Sequence, residues 1–287
     1  MTFDEFQAMT KLLDDPDDSV YLHIQERFVH VGSEAVPYLE SVWNQSQNQL
    51  VQLRVENIIE RINFNVILEE INFWKSLENP EIIDGLSIIN RLQYPNFDAT
   101  LIYKSIDQFS KELWLELNEN LTTFEIVNLV NRIIFDIWSF RSVADSEKDA
   151  FQYDFLSNLI EMKTGNSFST SLFYLMIAEK SDLPFMPVLL EDQLVIAGVR
   201  EVKKSHEMQQ DDILFYMNPF EQGVVFDDLS IRKWILKHEL ESKESYFLPC
   251  DNKKVFAVYL DRLALGYEKK GDENKAQFLK DLRSGFS

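Results

Sequence analysis

The chain has a single cysteine, Cys250, among 287 residues. No internal disulfide can form, and a lone thiol fits a reducing compartment, so a cytoplasmic location is expected. Histidine is almost as scarce. The four, His23, His30, His206 and His238, show no metal-ligand spacing to each other, to Cys250 or to a carboxylate. There is no Walker A sequence, no dinucleotide glycine pattern and no zinc motif. No metal or other cofactor is therefore expected. Positive charge is also short, with 28 Lys and Arg against 48 Asp and Glu, a net charge of −20. Such a surface repels phosphate backbones and anionic lipid, which argues against nucleic acid or a membrane as partner; the acidity is read first as serving solubility, with a basic protein or peptide partner as the alternative. No run approaches the ~18 apolar residues of a membrane span. Met1 to Phe6 lacks the basic and apolar regions of a signal peptide, so none is expected.

What is present is apolar and aromatic. Hydrophobic residues make up 45%, with 22 Phe and 5 Trp, enough for a buried core in one large or two modest domains. Residues 3–64 are predicted as short paired helices, broken at Asp14-Asp15-Pro16-Asp17-Asp18 and at Gly32, with Pro37 in a first turn and a last helix from Leu50 to Ile62. Helices continue to residue 162, with amphipathic stretches at Ile102 to Leu117 and Thr123 to Trp138. Trp74, Trp114 and Trp138 are expected in the core. Ser139 to Asp149 is expected as a charged loop, where Phe140 and Arg141 line a site entrance. Phe185 to Leu190, Gln193 to Val199 and Ile213 to Met217 are short β-branched or apolar runs that predict strands, with a polar excursion from Arg200 to Gln210. Helix resumes at Leu229 to Glu241, capped by Asp227 or Asp228, and again over 252–284, split at Gly271-Asp272-Glu273.

The chain is organised around Lys163 to Pro184. Gly165 and Asn166 suit a tight turn of positive φ, and Ser167 or Ser169 is expected to cap the helix that follows. Phe168, Leu172, Leu175, Met176 and Ala178 give that helix a buried face, and Pro184 lies beyond its end. A side chain at such a helix start has free backbone N–H groups and the positive end of the dipole beside it.

These residues resemble the bacterial transglutaminase-like proteins of the second core type, the SirB family. The family pattern is Gly-Asn-Cys (or Pro)-x-Ser, an apolar helix ending in Leu-Gly-Leu-Pro, and a strand leading to Pro-Gly-His-Phe. Gly165, Asn166, Ser169, Leu172, Tyr174, Leu175, Ala178, Glu179, Leu183 and Pro184 match without a gap, and Glu191-Asp192-Gln193-Leu194 falls where Pro-Gly-His-Phe would be. Asn218-Pro219-Phe220, followed by Gly223, falls where the family has an acidic residue, a short turn and Gly. Upstream, Gln93-Tyr94-Pro95-Asn96-Phe97-Asp98 resembles Tyr-Pro-Asp-Leu-Asp at the end of a buried helix, and Ile134 to Arg141 resembles a helix ending in Gly-Phe-Arg. Residues 1–64 resemble HEAT-type hairpins, and Tyr267 to Ala276 a tetratricopeptide hairpin.

The resemblance implies a mostly helical α+β fold, with a papain-like or transglutaminase-like core in which one helix packs on a small antiparallel sheet, flanked by helical hairpins. It implies three regions: 1–64, a core at 65–245, and a terminal hairpin at 246–287. It also implies a Cys-His-Asp triad at positions that here hold Ser167, Gln193 and Asn218. Serine lacks the low pKa of a paired thiol, and an amide cannot accept a proton, so the triad reads as degenerate. Two functions follow as expectations. One is a non-catalytic scaffold binding a protein or peptide, and the other a hydrolase or acyl transferase with Ser167 as nucleophile and His206, or a group that the sequence does not mark, as base.

Overall fold

Apolar residues recurring at three and four positions fold most of the chain into helices. The computed structural model describes residues 3–146 and 150–286. Two compact units emerge, Met1–Phe73 and Trp74–Ser287.

The first unit holds α1 (Phe3–Thr10), α2 (Asp18–Val31), α3 (Val36–Gln45) and most of α4 (Gln49–Ser76). Asp17 caps α2 by accepting the Ser19 N–H, and Gly32, at φ 72°, ends it. Leu13, Ile24, Phe28, Leu39, Val55 and Ile58 form its core. Arg54 is buried and pins the acidic break before α2. Its Nη1 donates to the carbonyls of Leu13 and Asp15, and its Nη2 pairs with Asp18 at 2.8 Å. The helix predicted to end at Ile62 continues to Ser76, so residue 64 lies inside α4.

The second unit opens with α5 (Ile82–Asn90), α6 (Thr100–Trp114) and α7 (Thr123–Asn131), which passes into a π-helical stretch, Arg132–Ile137. After β1 (Arg141–Ser142) come a 3-10 turn (Ala150–Asp154), α8 (Leu156–Met162), β2 (Thr164–Gly165) and α9 (Ser167–Lys180). Then follow β3 (Phe185–Leu190), β4 (Gln193–Val199), β5 (Ile213–Asn218), β6 (Val224–Phe226), α10 (Asp228–Lys237), α11 (Asn252–Lys270) and α12 (Glu273–Ser284).

Every residue of α9 from Phe168 to Ala178 is buried, so this helix has no solvent face and forms the centre of the unit. The sheet runs in the order β3-β4-β5-β6, all antiparallel. A two-residue turn at Glu191 (φ 56°) and Asp192 joins β3 to β4 and sets the register from Leu190↔Gln193 to Phe185↔Gly198. Alternation divides the side chains between two faces. Met186, Val188, Leu190, Val195, Ala197 and Tyr216 pack on Ile231 and Ile235 of α10. Phe185 faces the other way and meets Tyr174 of α9, ring centroids 5.9 Å apart. The fold is thus mostly helical α+β, one buried helix on a small antiparallel sheet.

Residues 246–287 lie within the second unit. Tyr259 Oη of α11 donates to the Asp154 carbonyl at 2.9 Å, and Phe256 meets Trp74 at 4.8 Å. Gly271, at φ 78°, separates α11 from α12.

Three expectations need correction. Trp114 is 74% exposed, because the inward stripe of α6 is Ile102, Ile106, Phe109 and Leu113, and Trp114 falls one position off it. Phe140 lines no entrance; it is buried against Phe173 with centroids 4.3 Å apart. Arg141 and Ser142 are not loop residues but pair in parallel with Thr164 and Gly165. Trp138 is half-buried and donates to Glu112 at 2.7 Å.

Candidate functional site at the start of helix α9

Asn166 builds the start of α9. Its Oδ1 accepts the N–H groups of Phe168 at 3.1 Å and Ser169 at 2.9 Å, and Ser169 Oγ accepts the Asn166 N–H at 3.0 Å. The cap is therefore Asn166, with Ser169 as reciprocal partner, and not Ser167 or Ser169 alone. The positive φ also falls elsewhere, at Lys163 (48°), and not at Gly165 or Asn166. Gly165 is needed for space: a Cβ there would lie 2.5 Å from Thr170 Oγ1 and 2.8 Å from Leu159 Cδ1.

Ser167 is the first residue of α9 and is half-buried. Its Oγ donates to Asp145 Oδ2 at 2.5 Å. The other oxygen of Asp145 pairs with Arg262 Nη2 at 2.6 Å, and Arg262 Nε pairs with Asp154 Oδ1, also at 2.6 Å. That same Asp154 oxygen accepts Asn166 Nδ2 at 2.7 Å. Ser167, Asp145, Arg262, Asp154 and Asn166 thus close a ring of hydrogen bonds through the peptide that joins residues 166 and 167. Asp154 is only 4% exposed. Burial pushes its carboxyl above the ordinary value, opposed by the Arg262 guanidinium and the Asn166 amide. The guanidinium also lies over the Phe168 ring, 5.8 Å from its centroid.

The other two expected positions end strands. Leu183 and Pro184 reverse the chain after α9, so the end of β3, the start of β4 and the end of β5 come back toward the start of the helix. Ser142, paired with Gly165, donates to the Phe220 carbonyl at 2.8 Å and ties the turn after β5 to this region. Gln193 is exposed, and its pairing with Leu190 places it on the face that packs on α10. Asn218 accepts the Phe220 N–H at 3.1 Å and caps the turn Pro219–Glu221. Neither hydrogen-bonds to Ser167. The structure brings Asp145, Asp154 and Arg262 to Ser167, three residues that no local spacing in the sequence marks.

A profile describing the transglutaminase-like superfamily matches residues 100–261, more than half of the chain. The chain belongs to the transglutaminase-like superfamily. No curated protein and no solved structure matches it.

The matched transglutaminase-like region runs from the start of α6 into α11 and holds Asp145, Asp154, Ser167 and the whole sheet, with Arg262 one residue beyond. The remaining titratable candidates lie elsewhere in the unit. His206 sits on the excursion between β4 and β5 with its side chain 74% exposed, 3.7 Å from Glu207. It lines a cleft of about 570 Å³ with Glu179, Phe185 and Cys250, at the opposite end of α9 from Ser167. Burial pushes the Cys250 thiol up to about 12, which keeps it neutral and unreactive. Glu191 meets Lys243 at 3.3 Å. Among the described residues, no three His, Cys, Asp or Glu side chains cluster to hold a metal ion, and no helix is long and apolar enough to cross a membrane.

Proposed function

We propose that this transglutaminase-like chain is non-catalytic and serves as a scaffold for a basic protein or peptide. The observation that carries it is the bond from Ser167 Oγ to Asp145, a carboxylate already charge-paired with Arg262. A serine nucleophile needs a base that takes its proton and returns it to a leaving group, and a carboxylate held by a permanent cation is a weak one. Among the described residues no imidazole hydrogen-bonds to Ser167, and Gln193, at the position matching the family histidine, has no proton-accepting nitrogen. The net charge of −20 supports a basic partner through electrostatic steering. On this proposal the chain is a bacterial, cytoplasmic member of the SirB family. Residues 1–64 act as HEAT-like hairpins, 65–245 as the core, and 246–287 as a tetratricopeptide-like hairpin.

One observation favours a second function. Ser167 already donates to a carboxylate at a helix start, the geometry of a hydroxyl being deprotonated, which suits a hydrolase or acyl transferase with Asp145 as base. Turnover of aryl esters and peptide amides separates the two. The scaffold function requires no turnover above that of Ser167→Ala. Turnover by the native protein that Ser167→Ala abolishes would establish the hydrolase.

A further inference from the structure

The cleft of about 570 Å³ at the far end of α9 has a wall of Leu175, Phe185, Met186 and Pro187, with Val202 exposed at its edge and Glu179 reaching it from the last turn of the helix. Among the described residues, Glu179 bonds only to neutral groups. Its Oε2 accepts the Ile82 N–H at 3.1 Å, and its Oε1 accepts Asn252 Nδ2, whose amide also donates to the Pro80 carbonyl at 2.9 Å. A carboxylate at a helix C-terminus opposes the dipole, and Glu81 and Asp84 add like charge nearby.

The cations around it bond to other groups. Lys203 pairs with Asp212 at 2.7 Å, Lys204 with Glu78 at 2.8 Å and Lys180 with Asp107 at 2.8 Å, while Lys253 donates to the Leu77 carbonyl at 2.7 Å. His206 faces Glu207, and Asp251 is occupied in capping α11. Among the described residues no cation bonds to Glu179, which is therefore a largely enclosed acid without an ion-pair partner, next to an apolar wall.

We propose that this cleft binds the side chain of an arginine or lysine on a peptide partner, its alkyl stem along the apolar wall and its cationic head at Glu179. Long basic side chains carry this combination of apolar stem and charged tip. The proposal shares with the scaffold function only the basic character of the partner, and it does not depend on what Ser167 does. Burial holds the Glu179 carboxyl up at about 7. A cation bound there favours the ionised form, so binding tightens from pH 6 to pH 8.

The test follows the Met186 methyl resonance during titration of the full chain with butylguanidinium, butylammonium and the neutral isostere butylurea. Butylguanidinium or butylammonium is expected to bind at millimolar concentration, and butylurea at least tenfold more weakly. Which cation binds more tightly separates arginine from lysine recognition. Glu179→Gln is expected to weaken the preferred cation at least tenfold. Val202→Lys, a change at an exposed site that leaves the fold intact, is expected to weaken it several-fold by repulsion. Equal binding of butylurea and the cations, or native binding by both variants, would overturn the proposal. Ester turnover through Ser167 would overturn the scaffold function alone.

Discussion

The hydroxyl of Ser167 and the carboxylate of Asp145 meet at 2.5 Å, and the second oxygen of that carboxylate belongs to Arg262. In a working triad the acceptor is a neutral imidazole, and the acid stands behind it. Here the acid stands in front and a permanent cation stands behind. Asp154 holds that cation from the other side and is itself held by the Asn166 amide, so the five side chains fasten four segments of chain: the loop after β1, the 3-10 turn before α8, the start of α9, and α11. Their arrangement accounts for structure at this end of the helix more directly than for proton transfer.

If the ring is structural, removing its cation is costly. Arg262→Ala leaves the buried Asp154 carboxylate without its countercharge and is expected to destabilise the second unit by about 3–5 kcal/mol. Adding Asp154→Asn removes the stranded charge and should recover part of that loss. Urea unfolding of the single and double variants checks both statements.

Glu179 sets a pH dependence. Burial holds its folded value at about 7, above the ordinary glutamate value of 4.5. The stability it contributes is fully present below 4.5, where both states are protonated. It is lost as pH rises from there through 7, because the unfolded chain ionises first. Urea midpoints are expected to fall between pH 5 and pH 8 on this account, and Glu179→Gln should flatten that segment of the profile.

Cys250 should be slow to react. Its thiol is buried and held neutral, so a disulfide-exchange reagent at pH 8 is expected to label the folded protein at least tenfold more slowly than the urea-unfolded chain. Equal rates would mean that Cys250 is accessible.

Gln193 is exposed at a strand end. Gln193→Ala is expected to change stability by less than ~0.5 kcal/mol, measurable as an unchanged urea midpoint.

Much of the fold was legible because its signals are local. β3 and β4 lie where the apolar runs from Phe185 and Gln193 predict them, since a two-residue turn at Glu191 and Asp192 separates two alternating segments. The split of α11 from α12 at Gly271 follows from a residue free to take positive φ. The site was far less legible. Asp145, Asp154 and Arg262 come from a loop, a 3-10 turn and a distant helix, and only tertiary packing joins them; Asn166 gave a local signal, but for a turn and not for a cap. Trp114 is exposed and the neighbouring Leu113 holds the inward position, because size alone does not say which side of a helix a residue occupies.

On the proposed function, Ser167 is a structural hydroxyl and not a nucleophile. The most direct test of this is incubation of the native protein with a reactive fluorophosphonate, followed by intact-mass measurement alongside Ser167→Ala. No adduct is expected on either protein after prolonged exposure. A stoichiometric adduct on the native chain, absent from Ser167→Ala and mapped to Ser167, would contradict it and make this transglutaminase-like chain an enzyme.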